Sequence, residues 1–264
     1  MGKVFSITNQ KGGVGKTTTS INLAASLAAT KRKVLLIDFD PQGNATMGSG
    51  INKNDVTVSA YEVITEKADI TQGIIKAEAA GYDVLPANDD LTAAEVELLN
   101  LRMKEYRLRY EIARIKDKYD YILIDCPPSL NMLTVNALVA SDGVIIPIQC
   151  EYFALEGLTS LLNTIEKIKK MLNPKLIIEG LLRTMYDPRN SLTNDVTAQL
   201  VKHFGDKVYR SVIPRNVRLA EAPSHGLPAL AYDKQSKGAI AYLALAGEIL
   251  RRADSAQTAL AEKK

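Results

Sequence analysis

Residues 3–29, KVFSITNQKGGVGKTTTSINLAASLAA, read as a strand, a tight loop and a helix. Lys3–Asn9 alternates and then turns polar, and the run from Ser20 carries a helical pattern. Gly12, Gly13 and Gly15 have no Cβ, so the loop between these elements can take positive φ and turn several backbone N–H groups onto one anion. Lys16 adds a point charge at the mouth of the loop. Thr17 and Thr18 open the helix, whose first-turn N–H groups have no intrahelical partners and whose dipole favours phosphate. Together these features describe a triphosphate cradle, with the Thr17 hydroxyl placed for Mg²⁺. The general phosphate-loop pattern wants glycine at position 10; this chain has Gln10 there, followed by a second lysine, Lys11.

Two further strands end in acid. Val34–Ile37 is a continuous apolar run, as expected of a parallel strand covered on both faces, and it leads into Asp38 and Asp40 before Pro41–Asn44 breaks it. Tyr121–Ile124 is a second such run, closed by Asp125 and by a turn that Pro127 and Pro128 force to be extended. Asp38 and Asp125 follow their strands directly, a position suited to holding Mg²⁺ or its waters against Thr17. Asp40 lies two residues further out, where it suits a group that orients and polarises a water attacking the γ-phosphate.

Strands and helices alternate along the rest of the chain. YDVLPAN, DGVIIPIQC, LIIEGLLRT and VYRSVIPRN read as strands, and residues 91–118 as a long helix with a bend or junction near 102–109. A helix from about Ser191 has Ser191 or Thr193 as its expected cap and Gly205 as its stop, and GAIAYLALAGEILRRA is the last long helix. This order predicts a single α/β domain over residues 1–254, a P-loop NTPase fold with a mostly parallel sheet and helices on both faces, and a tail at 255–264 that frays.

A chain of 264 residues that is 46% apolar has material for one large soluble domain with a substantial core. No apolar run approaches membrane-spanning length, and MGKVFSITNQ is not a secretory leader, so a cytoplasmic protein is expected. The two cysteines, Cys126 and Cys150, cannot build a disulfide framework or a four-ligand zinc site and read as small buried side chains. Net charge is +3, but Lys and Arg against Asp and Glu count 16 to 18 in residues 1–150 and 17 to 12 in 151–264. The second half therefore carries the excess, a modest one for a nucleic-acid binder.

KGGVGKTT, DFDPQGN with Asp40 24 residues after Lys16, and YILIDCPP together resemble the deviant Walker A ATPases, and within them the ParA/Soj partitioning ATPases. EYFALEGL, TMYDPRNSL and IPRNVRLAEAPSHG extend the resemblance over nearly the whole chain. It implies ATP and Mg²⁺ held by Lys11, Gly12, Gly13, Val14, Gly15, Lys16, Thr17 and Thr18. It also implies that Lys11 reaches across an ATP-sandwiched homodimer to the partner's nucleotide. Pro214, Arg215 and Asn216 match the segment that takes the base, with Asn9 and Met185 nearby. Arg189 and Arg218 match positions linked to non-specific double-stranded DNA binding. A ParB/Spo0J-like centromere-binding protein is the implied partner, and nucleoid association the implied location. The resemblance is to the short, Soj-like form, so operator binding is not expected, and no membrane partner is expected either. A MinD-like membrane ATPase, an iron–sulphur reductase of the same superfamily and a non-hydrolysing ATP-gated DNA binder are the competing readings.

Overall fold

The computed structural model describes residues 2–261, with side-chain surroundings through Ser255. Eight strands form one sheet: β1 (Lys3–Ile7), β2 (Val34–Asp38), β3 (Ile75–Ala77), β4 (Tyr82–Leu85), β5 (Tyr121–Asp125), β6 (Gly143–Gln149), β7 (Ile177–Tyr186) and β8 (Val208–Pro214), in the order β3-β4-β2-β5-β1-β6-β7-β8. All neighbours pair parallel except β3, which runs antiparallel to β4 at one edge.

The helices follow from local patterning. They are α1 (Lys16–Ala29), α2 (Asn44–Gly48), α3 (Ala60–Ile64), α4 (Ile70–Gly73), α5 (Leu91–Glu97), α6 (Arg107–Ala113), α7 (Met132–Ala140), α8 (Ala154–Met171), α9 (Ser191–Phe204), α10 (Val217–Glu221), α11 (Ala229–Tyr232) and α12 (Lys237–Ala261). Ser59 starts α3 with a capping box to Glu62, two orphan backbone donors being satisfied reciprocally.

Because successive side chains of a strand leave opposite faces, the apolar runs divide cleanly. Phe5, Ile7, Leu36 and Leu123 pack with Leu23 and Leu27 of α1 and with Tyr242 and Leu245 of α12. Val4, Leu35, Ile37, Ile122 and Ile124 pack on the other face with α3, α6 and α7. Val144, Ile146 and Leu181 extend that face under α8 and α9. Each fully buried Leu or Ile of this kind contributes about 1.5–3 kcal/mol.

This arrangement decides where a ligand can go. β1 lies between β5 and β6, and the register sets Ile7 beside Asp125 and Asp125 beside Asp38. The carboxyl ends of β1, β2 and β5 therefore converge on one edge, the ligand-binding edge of open α/β sheets.

Three local expectations change. β3 is an additional edge strand, too short and too exposed to show in the sequence pattern. Residues 91–118 form α5, α6 and short 3₁₀ turns instead of a long helix, with Met103 at φ 52° between them. The α9 cap is Asn190, whose side chain accepts from Leu192 N–H, and not Ser191 or Thr193. α12 is described to Ala261, and residues 262–264 of the tail expected at 255–264 lie outside the described residues.

Candidate active site

The phosphate loop is held from both sides. At its start, Asn9 Nδ2 donates to the Pro147 carbonyl of β6 at 2.8 Å, and Asn9 Oδ1 accepts from Lys11 N–H at 3.0 Å. In its middle, the Val14 carbonyl accepts from Thr184 Oγ1 of β7 at 2.8 Å. Gly13 (φ 73°) and Gly15 (φ 84°) are both left-handed, which L side chains rarely adopt, and Gly15 is the residue from which α1 departs. No side chain caps that helix start, so its first N–H groups face the loop unaided.

The two lysines of the loop occupy different surroundings. Lys16 is buried and its Nζ donates to the Lys11 carbonyl at 3.1 Å, closing the loop on itself. Burial pushes its pKa down, against the pull of Asp125 and Asp40 nearby. Lys11 sits outside, its Nζ 2.7 Å from Glu151, with the two side chains 42% and 46% exposed.

The three acids have three environments. Asp125 is fully buried and accepts from Thr17 Oγ1 and Ser20 Oγ, each at 2.7 Å. Asp38, also fully buried, accepts at Oδ2 from the backbone and hydroxyl of Thr46, each at 2.7 Å, and at Oδ1 from Asp40 N–H at 3.3 Å. Burial raises both pKa values above the carboxylate range, and for Asp125 the Asp38 charge adds to the rise. Asp40, also buried, accepts from Gln42 N–H at 3.0 Å, an Asx turn. Expected together at a metal, Asp125 and Thr17 are bonded to each other, whereas the hydrogen bonds of Asp38 organise residues 40–46, the turn and the start of α2.

Further out, Met185 follows Thr184 at φ 49°, and Pro214 pairs with Tyr186 at the ends of β8 and β7. Asn216 Oδ1 is buried with no hydrogen-bond partner among the described residues, while Arg215 is exposed. A buried acceptor left so costs about 1–3 kcal/mol, which a donor from a ligand would offset. Arg189 grips Asp187 with two bonds of 2.9 and 2.8 Å, and Arg218 pairs with Glu221 at 2.7 Å and Asp233 at 3.3 Å. Neither arginine stands bare. Cys126 and Cys150 are both buried in the cores, where a cluster shared between subunits could not reach them.

The AAA-domain family model matches residues 2–178. The sporulation initiation inhibitor protein Soj of Bacillus subtilis is 55% identical, over 94% of this chain and 98% of its own. The chromosome partitioning protein ParA of Caulobacter vibrioides is 53% identical, over 95% of this chain and 94% of its own. The chain belongs to the ParA/Soj family of partitioning ATPases. Among solved structures, the cobyrinic acid a,c-diamide synthase of Mycobacterium smegmatis with bound ADP and magnesium is 37% identical and superposes with a TM-score of 0.86, covering 97% of each chain.

In this ParA/Soj-family site, four contributors escape a reading of motifs. Ser20 shares Asp125 with Thr17 one helical turn earlier, and their i, i+3 spacing on one helix face was the available signal. Glu151 lies within EYFALEGL, a stretch quoted for its resemblance and not for a charge. Thr184 opens TMYDPRNSL, another stretch of the resemblance, with nothing in it to single out the hydroxyl, and Thr46 carries no sequence mark. Among the described residues no helix is long and apolar enough to cross a membrane.

Proposed function

We propose that two copies of this ATPase close on two ATP molecules, that the closed dimer binds double-stranded DNA without sequence preference, and that hydrolysis stimulated by a ParB-like partner releases it. The observation that carries this reading is the division of labour between the loop's lysines. Lys16 is already enclosed by its own loop, so it serves the phosphates of its own subunit. Lys11 lies at the surface in a pair with Glu151, and exposed pairs of this kind are cheap to exchange. It is thus free to meet charge on a facing subunit, where phosphoryl transfer needs it.

The donors at the loop suit magnesium. Mg²⁺ prefers hard oxygen ligands and takes only one or two from protein, which the Thr17 hydroxyl and the Asp125 carboxylate can supply. When bound, the metal would neutralise charge on the phosphate oxygens. Asp38 holds the 40–46 loop, and Asp40, fixed by that loop, is the residue to orient the attacking water. Asn216, Pro214, Arg215 and Met185 form the candidate base end.

For DNA, Arg189 and Arg218 supply phosphate contacts, which give affinity without sequence information. Each must leave an acidic neighbour to do so, a small cost at an exposed site. Doubling the patch in a dimer makes the modest excess of the second half effective, and the dimer would be cytoplasmic and nucleoid-associated.

The decisive experiment measures assembly and phosphate release in the presence of Mg-ATP, DNA and a ParB-like protein. Lys11→Ala is expected to stay monomeric or to lose turnover, and Asp40→Ala to dimerise while phosphate release falls about 100-fold. Normal dimerisation and turnover of Lys11→Ala would refute the crossing lysine.

A further inference from the structure

We propose that Thr184 is a positioning residue for the phosphate loop: its hydroxyl sets the direction of the Gly15 N–H by holding the Val14 carbonyl. The proposal rests on reading residues 11–17 as a nucleotide cradle, and it adds to that cradle a residue 170 positions away in sequence.

A trans peptide is planar, so its C=O and N–H point in opposite directions. The Val14 carbonyl and the Gly15 N–H belong to one such unit. With the carbonyl captured by Thr184 Oγ1 at 2.8 Å, the N–H is turned away from β7. Apart from the Val14 side chain, which is 1% exposed, the loop's own residues leave the direction of this peptide open. Val14 lies between Gly13 and Gly15, both at positive φ, and glycine lets an adjacent peptide rotate at little steric cost. A Cβ at Gly12 or Gly13 would meet no atom within 4 Å, so packing does not fix the loop from that side either.

Thr184 is well built for the task. It is 3% exposed, and in the ladder it stands beside Gln149 of β6, two residues beyond the Pro147 that anchors Asn9. Its methyl carbon lies 3.8 Å from where a Cβ of Gly15 would sit, so one face of the side chain packs and the other donates. The loop is therefore clamped at entry by β6 and at mid-span by β7. A catalytic contact is not implied; Thr184 acts through the Val14–Gly15 peptide.

The hydroxyl and the methyl can be tested separately. Thr184→Val keeps the shape and removes the donor, and Thr184→Ser keeps the donor and removes the methyl. Calorimetry with Mg-ADP as the probe, on the full chain, is expected to give a dissociation constant about tenfold weaker for Thr184→Val, the scale of one buried acceptor left unpaired. Thr184→Ser is expected to stay within about twofold of the parent. Melting of each ligand-free variant checks its fold, and Thr184→Ala replaces the valine variant if that one does not fold. Parent-like affinity in Thr184→Val, or an equal loss in Thr184→Ser, overturns the proposal. Lys16→Ala run alongside separates the two levels: if it too binds Mg-ADP like the parent, the cradle reading itself has failed, and if it alone loses binding, only the role of Thr184 has.

Discussion

At the phosphate loop, Asp38 and Asp125 are fully buried and spend their oxygens on Thr46, Thr17 and Ser20; beyond the ends of β7 and β8, Asp187 and Glu221 meet Arg189 and Arg218 in solvent. Burial lifts the first two carboxyl groups above their ordinary range, while the guanidinium bonds of Arg189 bring Asp187 down to about 2. The contrast separates two uses of charge. A buried acid held by directed bonds keeps its geometry at an electrostatic cost, ready for a cation to lower that cost. An exposed ion pair keeps little geometry, and either member can change partners. Precision at the nucleotide and exchange at the proposed DNA surface would thus be built from different environments of the same residue types.

The sharpest way to break the comparison is Lys16→Ala. Removing a buried cation with Asp125 and Asp40 nearby should weaken Mg-ADP binding about 100-fold by calorimetry, whereas Lys11→Ala, at the exposed position, should leave monomer affinity for Mg-ADP within about threefold. Equal losses in the two variants would erase the distinction between them.

A second test is acidity. Asp38 and Asp125 have raised folded pKa values, so their contribution to stability is whole below the unfolded value near about 4 and is lost as pH rises through the folded values. The metal-free protein should therefore lose melting temperature from these groups between about pH 4 and about pH 8, with Asp38→Asn flattening the decline. Asp187 has the opposite sign: its contribution is present above about pH 4 and is lost as pH falls through about 2, weakly because the pair is exposed. A pH profile of Asp38→Asn superimposable on the parent would remove the buried pair from the account.

The smallest expected effect on the fold belongs to Arg189→Ala. Its side chain is 87% exposed, and the melting temperature should not move. DNA retention should still fall, with the slope of log affinity against log salt reduced by about one for each arginine removed. Arg218→Glu should weaken retention further at matched salt while leaving ATP-dependent dimerisation intact. A destabilised Arg189→Ala would mean that the flank is less interchangeable than its exposure indicates.

The sheet was readable where a strand is buried on both faces, because β1, β2, β5 and β6 are short apolar runs ending at polar turns. β3 was not: Ile75 and Lys76 are exposed and only three residues pair, which leaves no periodicity to read. The break between α5 and α6 carries no glycine or proline, so the left-handed, exposed Met103 has no residue-type signal to announce it. At the site, the glycines, both lysines and the strand-ending acids are marked by residue type and spacing. What those acids hold is not, since Asp38 reaches Thr46 and Asp125 reaches Thr17 only through strand register and loop closure. The Thr184 clamp depends wholly on β7 reaching the first loop across the sheet.

The position of β1, flanked by β5 and β6, has a consequence for how the molecule comes apart. Amides of an interior strand are released to exchange with deuterium only when the whole sheet opens, while those of a rim strand such as β3 are released by fraying. Fraying or proteolytic nicking at the β3 rim is therefore expected to leave β1, the segment that feeds the glycine loop, undisturbed.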